Sequence, residues 1–423
     1  MIVVELNEFN RELFAKAAQA MELPMIERVL AMQWTKTITQ DKEERHGLDP
    51  WVQWVSVHTG KPSHLHGIEH LGDVSRLAAK QIWEVLNENG ISTGIWGAMN
   101  AKSSKHSKCL FFFPDPWTVS ENAHPDELNE LLSLPRYYSR NYLDLNFSIV
   151  LKTTARLLKF LLRPKIFIRM VGHLPLFLST VVSNGIKNYV LFSLFDVINA
   201  TIFDVYKWKY KPRFSVIFLN SIAHAQHHHW TSDDEISKEM QCALKLIDTA
   251  LAIVFNAQDH NEDILVINAL TQRRSYDKSE DYLYRQIDPE LFLKSIGLNF
   301  LKVEQLMTND ALVFFSSEKD TNQAYQILTN AKIDETPVFD VKRYPDDPKK
   351  LFYQLDFWKP IPENSQLLIN GKELPFYSLF ECVVRRSGEH IPEGDIFSSA
   401  PIFPAKIHNH EVYQYVLKHY GCA

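Results

Sequence analysis

The sequence predicts an α/β protein in which a mostly parallel sheet is sandwiched by helices and carries a helical cap insertion. Three observations support this. Apolar or β-branched runs at Met1–Leu6, Ile91–Ala98, Phe214–Asn220 and Asp263–Asn268 have the length of buried strands, and segments of helical period lie between them. The 423 residues, 45% hydrophobic and 23% charged, suffice for one large domain with an insertion. From about Asn146 to Lys211 long apolar runs are broken by bases, and no acidic residue lies between Phe147 and Leu194. The expected boundaries are 1–145 for the first part of the core, 146–212 for a basic amphipathic cap and 213–423 for the second part of the core.

A formal net charge of -6 provides no general basic face, so nucleic acid is not expected as a partner. Cys109, Cys242, Cys382 and Cys422 lack CxxC spacing, which argues against a zinc ribbon or disulfide scaffold and for a reducing, cytoplasmic setting. The opening MIVVELNEFN lacks the basic and apolar regions of a signal peptide and reads as a first buried strand. No repeat, P-loop or Rossmann glycine pattern occurs.

Taken in order, Met1–Leu6 hands over through Asn7-Glu8 to a helical period from about Arg11 to Met32. Ligands of such sheets sit at the carboxyl ends of strands, which places Glu5, Asn7 and Glu8 where a site would be. Asp49–Asp73 concentrates Trp51, Trp54, Gln53 and the histidines 58, 64, 66 and 70. Side chains that need partners for their N–H groups, at that density, read as a pocket wall or as a polar loop over a helix start. Ser75–Gly90 is a helix that stops at Asn89-Gly90, and Ile91–Ala98 is a strand. Residues 147–211 contain no run of about 18 uninterrupted apolar residues, so a spanning helix is not expected. That segment reads either as a cap lying on anionic membrane or covering a lipid-linked substrate, or as helices packed on one another. Strand Phe214–Asn220 delivers a histidine-rich run in which His224 and His228, four apart, share a helix face and could bind metal. Ser232 to Glu235 cap a helix through Leu244 and Leu251, and Asp263–Asn268 is the next strand. Further strands are expected at Ala311–Ser316 and Leu351–Phe357, with helices at Thr321–Asn330 and at the C-terminus.

Several runs, in this order, resemble the alkaline phosphatase superfamily, in particular its type I phosphodiesterase/nucleotide pyrophosphatase branch. They are Thr59-Gly60-Lys61-Pro62 with His66-Gly67-Ile68, the unit IWEVLNENGISTGIWGAMN, Asn220 with His224, and Arg385 to His390 with Gly394. The resemblance implies an alkaline-phosphatase-like mixed sheet and phosphoryl or sulfuryl chemistry assisted by two divalent metals. It also implies the metal ligands Asn7, Asn220, His224 and His390, although Asn7 and Asn220 stand where the family has Asp, and Leu270-Thr271 where it has Asp-His. Amides bring no charge to offset a cation, so one zinc or manganese, or none, is expected rather than two. Counting back from Thr59-Gly60, as the family does, the nucleophile position falls near Asp49, a metal ligand or base by its chemistry; Ser56 and Thr59 are either nucleophiles or helix caps. The candidate catalytic residues are Asp49, Gln53, Ser56 and His58. Trp54, Gln226, Arg273 and Arg285 are the candidate substrate-binding residues, each Arg being alternatively a surface ion pair.

The expected function is a divergent phosphodiesterase or phosphotransferase acting on a phosphorylated glycan, nucleotide or lipid-linked substrate, at the inner face of a membrane if residues 147–211 touch one. The phrases ELNE, WVQW with HTG, and AHAQH resemble a branch found among bacterial surface-polysaccharide functions. Two alternatives stand beside this: a pseudo-enzyme that binds a sugar phosphate or nucleotide without hydrolysis, and membrane association without chemistry.

Overall fold

The computed structural model describes residues 1–41, 48–259, 261–275, 282–306 and 309–422, the side chains of Val384 and Arg385 excepted. Its chain divides into two compact units, Met1–Arg136 with Leu151–Arg274 and Ser387–Ala423, and Tyr137–Val150 with Ser275–Arg386.

The first unit is organised around strand Ile2–Leu6, buried at every position. Such a strand belongs in the middle of a sheet covered on both faces. It pairs in parallel with Phe214–Leu219 on one side and Ile264–Ile267 on the other. Thr93–Trp96 and Cys109–Phe113 extend the sheet in parallel beyond Phe214–Leu219. On the opposite side Glu393–Ser398 runs antiparallel to both Ile264–Ile267 and Gln33–Ile38, and Lys406–His408 closes the order of eight strands. The sheet is thus mixed and mostly parallel, flanked by helices. Alternation along the first strand sends Ile2, Val4 and Leu6 into the larger core, shared with helices Arg11–Ala20, Asn188–Tyr210 and Lys238–Asn256. Val3 and Glu5 therefore face the other side, where Glu5 meets helix Pro50–Thr59.

Helix boundaries differ from the expected ones for local reasons. The span Arg11–Met32 is two helices, Arg11–Ala20 and Pro24–Leu30, because Met21 is extended and Pro24 starts the second at its first turn. Glu84 and Gln81 form a capping box that delays the next helix to Ile82–Glu88. Ser232 accepts from the Asp234 and Glu235 amides, and the helix opens later, capped by Ser237.

Helices Phe147–Leu161, from Leu151 onward, Pro164–Val171, Leu174–Asn184 and Asn188–Tyr210 belong to this first unit. Lys159 and Arg163 pair with Glu130, and Arg169 with Asp204. By length and composition Asn188–Tyr210 could cross a membrane, yet 72% of its most apolar window is buried and it packs on Lys238–Asn256. It is a core helix.

The second unit is built mainly from Ser275–Arg386. Strands Lys302–Gln305, Asp310–Phe314, Asp347–Leu355 and Phe339–Tyr344 form an antiparallel sheet. Helices Pro289–Ser295 and Glu318–Thr329 share with it a core of Phe292, Leu328, Phe339, Tyr353 and Phe380.

Candidate metal centre

Past Leu6 the first strand ends and Glu8 adopts φ +54°, a left-handed conformation that disfavours a residue with a Cβ. Its backbone is held there by neighbours: Gln226 donates to the Glu8 carbonyl at 2.8 Å and accepts from the Asn10 amide at 3.1 Å, and Thr271 donates to the same carbonyl. Locally unfavourable backbone that is over-determined by its surroundings is typical of functional sites.

The side chain so placed is buried and meets two imidazoles. Glu8 Oε2 lies 3.0 Å from His227 Nε2 and 3.1 Å from His390 Nε2, and the two nitrogens are 3.3 Å apart. His227 comes from helix Ser221–His229 after the second parallel strand, and His390 from strand Gly388–Ile391, which pairs with Thr271–Arg274. His227 Nδ1 is 3.2 Å from the Gly388 carbonyl, which can only accept, so Nδ1 carries a proton and Nε2 faces the carboxylate, either protonated or with its lone pair free for a cation. Two electron-rich atoms 3.0 Å apart require a proton or a cation between them. Burial alone would raise the Glu8 carboxyl, but the charges and hydrogen bonds of His390 and His227 outweigh it and hold it well below the usual carboxylate range.

The donor set fits a divalent metal. One carboxylate and two imidazoles are borderline ligands suited to zinc, and ligands about 2.0 Å from a tetrahedral zinc lie about 3.3 Å from one another. Among the described residues Glu8, His227 and His390 form the group able to hold an ion. Supporting contacts orient it, as they do in metal sites generally. Asn7 Nδ2 donates to Glu8 Oε1 at 2.8 Å and Gln272 donates to Glu8 Oε2. Ser387 fastens the adjoining strand to the histidine helix, its amide donating to the His227 carbonyl at 2.6 Å and its Oγ accepting from the Trp230 amide at 2.9 Å. At Gly388 a Cβ would fall 2.3 Å from Gln272 Oε1 and 2.7 Å from the Gln226 carbonyl, so only glycine permits this approach. At the start of the helix buried Asp196 accepts from the Asn220 and Ser221 amides, and burial pushes its carboxyl up to about 6.

Of the four expected metal ligands, His390 is in this cluster. Asn7 stands beside it as a relay: Trp54 Nε1 can only donate and occupies Asn7 Oδ1 at 2.8 Å, while Asn7 Nδ2 serves Glu8 and Asn220 Oδ1. The ligand position falls one residue later. Asn220 joins through that amide contact. His224 is one helical turn from His227 and packs against Phe192 and His228, each ring 4.4 Å away. The pairing with His228 is as expected from the spacing, but no third ligand completes it among the described residues.

The expected catalytic residues gather elsewhere. Gln53 is buried between Asp41, to which it donates at 2.6 Å, and Asn409, from which it accepts at 2.7 Å. Ser63 also donates to Asp41, at 2.5 Å. Ser56 lies 3.1 Å from His66 Nε2, but His66 Nδ1 accepts from the Ile68 amide, so Nε2 carries the proton and donates. Burial lowers the His66 pKa to about 4, keeping it neutral. His66 therefore cannot take a proton from Ser56, and Ser56 and Thr59, which donates to the Val55 carbonyl, are held as helix-turn hydroxyls. His58 pairs with Glu5 at 2.7 Å, both fully buried. Asp49 is the residue before helix Pro50–Thr59 and lies outside the carboxylate–imidazole group.

Among the expected binding residues, Trp54 has no exposed surface and acts through Asn7, and Gln226 is buried under Glu8. Arg273 makes an exposed ion pair with Glu389. Arg285 belongs to the second unit, where its guanidinium donates to the Arg140 carbonyl and stacks on Tyr142. Arg285 is thus committed within its own unit, for reasons of packing. Sequence reasoning missed His227 and Gln272 as members of the site and Asp41 and Asn409 as partners of Gln53. For His227 a signal existed: it is one of four histidines on the helix that follows a buried strand.

Fold and site together define an α/β protein with a carboxylate–bis-imidazole centre at the carboxyl ends of a mostly parallel sheet. No family model and no curated protein matches the chain. Among solved structures it is similar to phosphonoacetate hydrolase from Sinorhizobium meliloti 1021 in complex with phosphonoformate, at 12% identity and a TM-score of 0.45 over 100% of this chain and 95% of that one. It is also similar to murine ENPP5, an ectonucleotide pyrophosphatase/phosphodiesterase, at 10% identity and a TM-score of 0.47 over 100% and 95%. For human ENPP5 the figures are 11% and 0.44 over 100% and 94%.

Proposed function

We propose that the chain is a divergent phosphoryl-transfer enzyme of the alkaline phosphatase type, working with one divalent metal, zinc or manganese, on a phosphorylated small molecule. The observation that carries this is the convergence of Glu8, His227 and His390, with ligand atoms 3.0 to 3.3 Å apart, at strand ends. Within that reading the substrate is a phosphorylated glycan or nucleotide, or a lipid-linked intermediate handled at the inner face of a bacterial membrane during surface-polysaccharide assembly. Four free thiols accord with a reducing compartment.

A bound metal would supply Lewis-acid stabilisation of charge on a phosphoryl oxygen. The chain's own residues do the rest. Asn7 and Gln272 fix the Glu8 carboxylate, the Gly388 carbonyl fixes the proton on His227 Nδ1, and Asn220, whose oxygen accepts from Asn7, has its amide N–H₂ as the donor it can offer an anionic substrate oxygen. The second reading, binding without turnover, is favoured by the state of Ser56 and Thr59, both engaged as helix-turn hydroxyls.

Two substitutions test the assignment. His227→Ala is expected to abolish stoichiometric zinc or manganese in purified protein and to lower turnover of an aryl phosphodiester by two orders of magnitude or more, whereas His224→Ala retains the metal. Loss of metal in the His224 variant with retention in the His227 variant would overturn it. Metal bound without turnover of any phosphoester selects the binding reading.

A further inference from the structure

We propose that the outward face of helices Phe147–Leu161, from Leu151 onward, Pro164–Val171 and Leu174–Asn184 docks on an anionic phospholipid bilayer and settles into its interface without spanning it. This stands on observations separate from the metal centre.

Large aliphatic side chains are exposed here at a density that water-facing surfaces seldom carry. Val182 is 85% exposed, Ile186 76% and Ile168 72%. Their arrangement follows the helical repeat. On the first helix Thr153 and Phe160 face inward. Leu151, Leu158 and Leu162 recur at seven and four residues and form an exposed apolar stripe, while Lys152, Arg156, Lys159 and Arg163 recur at four, three and four and form a basic stripe about 100° round. An apolar outward face bordered by bases is the pattern of helices that lie in a membrane interface. The third helix continues it with Leu174, Leu178 and Val182, four residues apart.

Each helix alone is too short to cross, and the second and third, long and apolar enough when taken together, are bent at their junction and so do not form one straight span. The helices have 15, 8 and 11 residues, and the second and third are bent by 54° at their junction, against about 20 residues needed to span. Trp208, 60% exposed with Lys165 Nζ 5.0 Å from its ring, adds the aromatic–basic pairing found at headgroup depth.

Charge decides what covers this face. No Asp or Glu occurs from Phe147 to Phe195. Glu130 and Asp204 pair with Lys159, Arg163 and Arg169, but among the described residues Lys152, Arg156 and Lys187 have no acidic partner. A second copy placed symmetrically on the face would set like charges against each other. An anionic headgroup layer meets every one of them with the opposite sign.

The test is flotation of the full chain with vesicles of phosphatidylglycerol and phosphatidylcholine in equal parts. The wild type is expected to float with them and to bind pure phosphatidylcholine far less. Lys152→Gln with Arg156→Gln should lower partitioning about twenty-five-fold, since each surface base contributes roughly a factor of five. Leu178→Asp with Val182→Asp should abolish it. All of these positions are exposed, so unchanged circular dichroism and metal content identify the loss as one of binding. Wild type that stays at the bottom of the gradient, partitioning indifferent to both double variants, or a dimer through this face that ignores vesicles would each overturn the proposal. Metal content reports separately on the phosphoryl-transfer reading.

Discussion

Glu5 and Glu8 sit three residues apart at the end of one strand, and each meets imidazole, yet the two places are built for different ends. On the closed side Glu5 and His58 make a single 2.7 Å contact, both side chains shut away from solvent and the His58 ring packed against Trp54 and Trp83. Glu5 Oε2 and His58 Nδ1 find no hydrogen-bond partner there among the described residues. On the open side Glu8 meets two rings that are only half-buried, both of its oxygens accept amide hydrogens, and the tautomer of one ring is fixed from behind. A carboxylate–histidine pair becomes a site when it has a third ligand, oriented neighbours and an approach. Without these it is a buried polar joint.

The comparison breaks most readily at His58. His58→Phe leaves Glu5 buried without its partner, and breaking a buried pair from one side costs about 3–5 kcal/mol. Denaturant unfolding should show that loss, while the folded fraction keeps its metal. Glu5→Leu with His58→Phe removes both polar groups and should recover most of the stability, as apolar replacement of buried pairs commonly does. If His58→Phe instead emptied the metal centre, the two sides would be one site.

How much of this the sequence discloses depends on how local the determinant is. The buried strands, their helical partners and the gathering of polar groups at strand ends follow from period and composition, and His390 is legible through its motif. Glu8 is legible as a residue at the strand end but not as the ligand in place of Asn7, because a left-handed turn after Leu6 re-aims the chain, and an ordinary residue at φ +54° is not announced by propensity. His227 is not, because four histidines on one helix are equivalent until packing of strand Gly388–Ile391 selects the face. The second unit is legible only in part, through its strands near Ala311–Ser316 and Leu351–Phe357 and its helix near Thr321–Asn330, and the rest escapes for a third reason. Its short antiparallel strands have meaning only with partners tens of residues away, such as Tyr282–Gln286 with Phe380–Arg385.

A pH titration sharpens the closed side. His66 is held neutral in the fold, its pKa lowered to about 4 from the ordinary 6.5, chiefly by burial, with its Nδ1 accepting from Ile68. Between those values the unfolded chain binds the proton and the folded chain does not, so stability falls as pH drops from 6.5 toward 4 and is unaffected above. The contribution is about 3 kcal/mol at the low end of the window. His66→Asn, whose amide oxygen can take the Ile68 hydrogen bond, should remove that share of the slope in urea midpoints measured across the window. An unchanged slope would show that His66 already titrates in the fold.

Trp54 is where the two sides touch, and its substitution should have the smallest and most discriminating effect. Its ring stacks on His58 at 5.9 Å on the closed side, while its Nε1 donates at 2.8 Å to Asn7, whose own amide steadies Glu8. Trp54→Phe preserves an aromatic ring against His58 and deletes only the donor and part of the volume. A buried Asn7 oxygen left unpaired should cost about 1–3 kcal/mol. Freed of that anchor, Asn7 can rotate and withdraw from Glu8, so metal affinity should fall about tenfold, the lower end of what loss of a supporting contact produces. Competition with a chelator measures it. A stability loss with affinity intact would mean that Gln272 alone orients Glu8 and that the closed side is independent of the open one.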